Sequence, residues 1–114
     1  MVNLRILYCD FNENITDVSI KHLVNLTTLD CGYTDNENIT DDGIKHLLNL
    51  TILHCGNNEN ITDDSIKHLL NLKELDCGNN ENITDDGIKH LLNLTELDCN
   101  TNITDELKEI INNR

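Results

Sequence analysis

The chain has 114 residues, one domain's worth of protein and enough for a modest core. Aromatic residues make up 3%, and Trp and Pro are absent, so the core must be aliphatic. The 21 carboxylates outweigh 8 basic residues to give a formal net charge of −13, which repels phosphate backbones and anionic headgroups, argues against nucleic-acid and membrane-surface roles, and favours basic proteins or cations as partners.

Met1 is followed by neither a basic start nor an apolar run, so no secretory signal is expected. No apolar stretch approaches the about 20 residues that span a bilayer. The first predicted strand is Leu4 to Cys9, in which Leu7 and Cys9 alternate with Ile6 and Tyr8. After Asn12 comes Ile15-Thr16-Asp17, then Ile20-Lys21-His22-Leu23, then Asn25-Leu26. The Thr-Asp pair offers side-chain acceptors for the free N–H groups of a helix start.

The same wording starts again near 26, 50, 72 and 94, and the cysteines Cys9, Cys31, Cys55, Cys77 and Cys99 are separated by 22, 24, 22 and 22 residues. In the third unit Leu53 and Cys55 have strand spacing, while Ile66, Leu69 and Leu70 read as a helical apolar face. The second unit carries two extra residues around Thr34 and Asp35. The last unit drops two, and 103–114 reads as a terminal cap with Leu107, Ile110 and Ile111 inward and Glu106, Lys108 and Glu109 in water. A strand and a helix within about 22 residues cannot bury their own apolar faces, and stacking successive units buries them continuously. The expected fold is α/β: one solenoid domain over 1–114, with a parallel sheet on a concave face and short helices on a convex face.

This pattern, Leu-x-x-Leu-x-Cys-x-x-Asn, resembles the leucine-rich repeats. The inward cysteine and the Ile-Thr-Asp-x-Gly-Ile segments, Ile39 to Ile44 and Ile83 to Ile88, are similar to the cysteine-containing type found beside F-box domains. The Asn- and Ile-rich wording is similar to repeat proteins of giant DNA viruses of amoebae. The resemblance implies a binding architecture and does not name a partner.

Repetition turns residues into columns about 5 Å apart. Asn12, Asn58, Asn80 and Asn102 form one, expected to satisfy turn amides as they do in the resembled family. The five cysteines form an inward column of free thiols, which pack as small hydrophobes. His22, His46, His68 and His90 form an exposed column in which metal capture is conceivable, though repetition alone produces such a row. Glu13, Glu37, Glu59 and Glu81 stack, as do Asp17, Asp41, Asp63 and Asp85, and Asp42, Asp64 and Asp86. They read as solvated charge that favours helix starts, with Lys21, Lys45, Lys67 and Lys89 four residues after the second carboxylate column. They lack the spacing of a calcium loop. No nucleophile motif, phosphate-cradling glycine loop or His-Glu-x-x-His is present. The expectation is no enzyme, no cofactor and no metal site.

The outward strand positions give the candidate binding residues. One row is Ile6, Thr28, Ile52, Glu74, Glu96; the next is Tyr8, Asp30, His54, Asp76, Asp98. Phe11 and Tyr33 lie beyond. Aromatics anchor interfaces and charge steers encounter, so the surface suits a protein with an apolar patch flanked by basic residues. The alternative reading is a structural protein that assembles through its N-terminal edge strand as a homodimer. Eight Asn-x-Thr acceptors, no signal segment and an odd thiol count favour an intracellular, cytoplasmic setting, or a host cytoplasm for a viral chain.

Overall fold

The computed structural model describes residues 3–9, 14–32, 38–99 and 102–114. Strands and helices alternate along it. The strands are β1 (Ile6–Tyr8), β2 (Thr28–Asp30), β3 (Ile52–His54), β4 (Glu74–Asp76) and β5 (Glu96–Asp98). The helices are α1 (Asp17–Ile20), α2 (Asp41–Ile44), α3 (Asp63–Ile66), α4 (Asp85–Ile88) and α5 (Asp105–Asn112). The strands form one parallel sheet in the order β1-β2-β3-β4-β5.

Each strand is three residues long because only its central residue and the following cysteine face inward. Leu29, Leu53 and Leu75 are fully buried, and Cys31, Cys55 and Cys77 lie under the strand ends. The first four helices are a single turn each. Beyond that turn the chain advances by bonds three residues apart: Leu47 N–H to Ile44 at 2.8 Å and Leu50 N–H to Leu47 at 3.2 Å. Such tight turns bring every third residue to one side. Ile44, Leu47, Leu50 and Leu53 therefore all point into the core, as do Ile66, Leu69, Leu72 and Leu75. This corrects the helical reading of Leu70, which is exposed.

Each buried Leu or Ile contributes about 1.5–3 kcal/mol relative to exposure, and the columns continue unbroken across the repeats. Where the chain leaves the strand, backbones meet closely. A Cβ on Gly32 would lie 2.8 Å from the Gly56 nitrogen. Asn57 and Asn79 take left-handed backbone angles, φ 66° and 61°, a conformation that asparagine accepts better than most residues.

At the far end α5 packs against β5, burying Ile111 fully and Leu107 in part. Ile110 is exposed, which corrects its assignment to the core. The guanidinium of Arg114 donates to the carbonyls of Leu91 and Leu94, both at 2.9 Å.

The expectation of five free thiols is also corrected. Cys77 and Cys99 are disulfide-bonded with their Cα atoms 4.9 Å apart, while Cys9, Cys31 and Cys55 are free and buried. One strand step brings neighbouring rungs of the column into the range a disulfide can close.

Candidate interaction surface

The outward residues of the strands share one solvent-facing side of the sheet. Register pairs Ile6 with Thr28, Thr28 with Ile52, Ile52 with Glu74 and Glu74 with Glu96. The second row runs Tyr8, Asp30, His54, Asp76, Asp98 in the same way. Both rows are those expected from the alternation in the sequence. Phe11 and Tyr33 lie outside the described residues.

The two ends of this face differ chemically. At the β1 end Ile6 is 51% and Tyr8 68% exposed. At the β5 end a depression of about 440 Å³ is bordered by Glu74, Asp76, Glu96 and Asp98 together with Asn112 of α5. Asp30 and Asp76 each turn one oxygen toward a backbone N–H two residues on, at Gly32 and Gly78, both at 3.2 Å. Those bonds end the strands and hold the carboxylates in place.

His54 stands at the boundary between the two halves. Its Nε2 is 2.8 Å from Glu74 Oε2, and its Nδ1 is 3.7 Å from Asp30 Oδ2. Burial lowers the affinity of the imidazole for its proton, but the hydrogen bond to Glu74 and the charges of Asp30, Asp76 and Glu74 outweigh it, and the pKa rises above the ordinary 6.5. The same bond, with one from Glu96, lowers Glu74 below 4.5, while the bond to Glu74 raises Glu96. Two carboxylates one strand step apart thus divide their charge unequally. The rows were legible in the sequence, but this pairing depends on which side chains reach across the register.

Other columns turn out to be structural. The carboxylates of Asp17, Asp41, Asp63 and Asp85 each accept the backbone N–H and the hydroxyl of a threonine in the next repeat, at 2.5–2.9 Å. They are clasps between repeats rather than solvated charge. Two of the lysines pair three residues back instead of four: Lys45 with Asp42 at 3.3 Å and Lys89 with Asp86 at 3.2 Å. Asn58 and Asn80 are buried and donate to carbonyls of the preceding repeat, Asn58 to Ile39 and Asn80 to Asn58 and Ile61, in agreement with the ladder expected of them. Asn102 instead donates to Glu81, as Asn82 does to Glu59, so the shortened last repeat moves it into the neighbouring column. The histidines His22, His46, His68 and His90 are exposed. Among the described residues no group of three His, Cys, Asp or Glu could hold a metal ion, and no helix is long and apolar enough to cross a membrane.

No protein-family model matches the chain, and no curated protein matches it either. Solved structures do. An internalin from Listeria monocytogenes covers 92% of the chain with a TM-score of 0.70 and 32% identity. Internalin C2 of the same organism covers 91% with a TM-score of 0.71 and 29% identity. The chain spans 31% and 46% of the lengths of these two proteins. With five parallel strands, a helix after each and internalins as structural neighbours, the chain is an α/β leucine-rich-repeat solenoid.

Proposed function

We propose that the chain is a non-catalytic protein-interaction module that holds its partner on the exposed side of the sheet. The observation that carries this reading is the asymmetry of the two aligned rows, with exposed Ile6 and Tyr8 at one end and four carboxylates at the other. Exposed aromatic and aliphatic side chains supply anchors, and a single-sign charge cluster supplies steering. The complementary partner is a protein with an apolar patch flanked by Lys or Arg. The likeness to internalins supports a leucine-rich-repeat scaffold for such binding. Kinship with the cysteine-containing type rests on the cysteine column and the Ile-Thr-Asp-x-Gly-Ile wording, and kinship with giant-virus repeat proteins on the Asn- and Ile-rich wording.

The test is a set of variants measured against the partner recovered from the source cell. Tyr8→Ala should weaken binding by about 2 kcal/mol, the scale of an anchor residue. Asp76→Lys with Asp98→Lys should chiefly slow association and flatten its salt dependence. Unchanged affinity and rate in both would exclude the sheet face.

A second reading is favoured by the exposure of Ile6 and Tyr8 on the outermost described strand: two copies pairing edge to edge through β1 as a symmetric dimer. Leu7→Pro should dissociate such a dimer and leave the later repeats folded. A cytoplasmic setting, the host's for a viral chain, is supported by the acceptor asparagines. The side-chain amides of Asn49, Asn82, Asn93 and Asn102 already donate into the preceding repeat, where a glycan on the same nitrogen would crowd the ladder. The bonded Cys77 and Cys99 lend that setting no support. Intact mass of the chain from its source cell tests it: attached glycans would contradict it.

A further inference from the structure

The five cysteines are rungs of one column, and the rungs do not meet solvent alike. The ladder of bonds continues past each strand end. The Cys55 N–H donates to Asp76 and the Cys77 N–H to Asp98, both at 2.8 Å, so Cys55 stands to Cys77 as Cys77 stands to Cys99. Cys9, Cys31, Cys55 and Cys77 are at most 1% exposed. Cys99 is only partly buried, because β5 is the last strand of the sheet and no further rung covers it. Among the described residues the column therefore opens to solvent at one sulfur, and that sulfur is half of the Cys77–Cys99 bond.

We propose that Cys99 is a modification site for a small neutral or cationic thiol, with Cys77 as the partner that removes it again. The inference is independent of the sheet-face reading. The incoming thiolate attacks Cys99 Sγ and forms a mixed disulfide there. The Cys77–Cys99 bond breaks, and its electron pair leaves on Cys77 Sγ, which takes a proton from water. In the reverse step Cys77 loses that proton, attacks Cys99 Sγ and expels the small thiolate. No further oxidant or reductant is needed. Leaving-group strength alone favours attack on Cys77, with the better solvated Cys99 departing. Access decides against it, since Cys77 is 1% exposed. Cys55 already holds the place of an internal attacker, but burial pushes its thiol far up, so the bond does not migrate inward. Charge selects the thiol. The carboxylates of Asp30 and Asp76 already act on the Cys31 and Cys55 thiols, and Asp98 holds the corresponding place beside Cys99. An anionic thiol is repelled there. The bond also ties the residues that follow Asp76 and Asp98, so opening it loosens β5 and α5 at the acidic end of the sheet.

Mass spectrometry of the folded chain with its Cys77–Cys99 bond formed tests this, after mixing with cysteamine and quenching in acid. The expected product carries one cysteamine, mapped to Cys99, with Cys77 free. Cysteamine on Cys77, or no adduct short of denaturation, would overturn the site. Removing free cysteamine should release the label as the bond closes again; a label that persists would overturn the role of Cys77. Glutathione should react several-fold more slowly at low salt, and the gap should close as salt screens the carboxylates. Equal rates at low salt would overturn the charge selection. Cys77→Ser should take up cysteamine from its disulfide at Cys99 and keep it, whereas Cys99→Ser should resist at buried Cys77; the opposite pattern overturns the proposal. Amide hydrogen exchange reads the opening itself. With the bond reduced it should quicken at Glu96–Asp98 and Asp105–Asn112 and stay unchanged at Thr28–Asp30 and Ile52–His54. No change at the C-terminal end would overturn the loosening.

Discussion

The hydroxyl of Thr84 donates a hydrogen bond to the carboxylate of Asp63, one repeat earlier, at 2.5 Å, while the Thr84 backbone N–H donates to the other oxygen at 2.7 Å. The same hydroxyl oxygen accepts the Asp86 N–H at 3.3 Å and so starts α4. One side chain therefore joins helix initiation to repeat stacking. Asp17–Thr40, Asp41–Thr62 and Asp85–Thr104 repeat the arrangement.

Asp63→Asn should lower the unfolding free energy by about 1–3 kcal/mol, because an amide has one acceptor oxygen for the two donors of Thr84 and leaves one of them unpaired. Thr84→Ser keeps both donors and should cost less than Thr84→Val. Urea unfolding followed by far-UV circular dichroism measures the three. Equal stability of parent and Asp63→Asn would show that the clasp contributes nothing.

Much of this architecture was legible because repetition repeats the physics. Cysteines 22 or 24 residues apart fixed the repeat length, and the alternation around Leu53 and Cys55 fixed which residues face outward. The misread parts depend on geometry finer than periodicity. Leu70 is apolar and adjacent to buried Leu69, but spacing by three carries the core on to Leu72 and leaves Leu70 outside. Asp63 looked like surface charge because its acceptor role needs a threonine 21 residues away. Asn102 changed column because the missing two residues precede it rather than follow it. Arg114, which reaches the Leu91 and Leu94 carbonyls, belongs to no repeat and left no pattern to read.

The His54–Glu74 pair sets a pH window. The folded-state pKa of His54 is raised above 6.5, so its contribution is complete below 6.5 and is lost as pH climbs through the raised value. The folded-state pKa of Glu74 is lowered below 4.5, so its contribution is present above 4.5 and is lost as pH falls through the lowered value. Between these two limits the pair is worth about 0.2–1 kcal/mol, the scale of a partly exposed ion pair. Proton NMR of the His54 ring should give a midpoint above 6.5 that drops on Glu74→Gln. A midpoint indifferent to that change would contradict the pairing.

The thiols should count in two steps. Unfolded without reductant, the chain should take up three alkyl groups, at Cys9, Cys31 and Cys55; after reduction it should take five. In the folded state the first three should resist labelling, because burial pushes the Cys31 and Cys55 thiols up and starves them of thiolate. Mass spectrometry of the alkylated chain reads every number directly. Five labels without reductant would remove the Cys77–Cys99 bond from the account.

The claim that the exposed side of the sheet is the binding surface is tested most directly by NMR. The isotope-labelled chain is titrated with a synthetic Leu/Lys peptide and the amide shifts are followed residue by residue. The predicted result is that the largest changes fall on Tyr8, Asp30, His54, Asp76 and Asp98, the row that register lines up across all five strands. Changes confined to the helix side, at His46, His68 and His90, would contradict it.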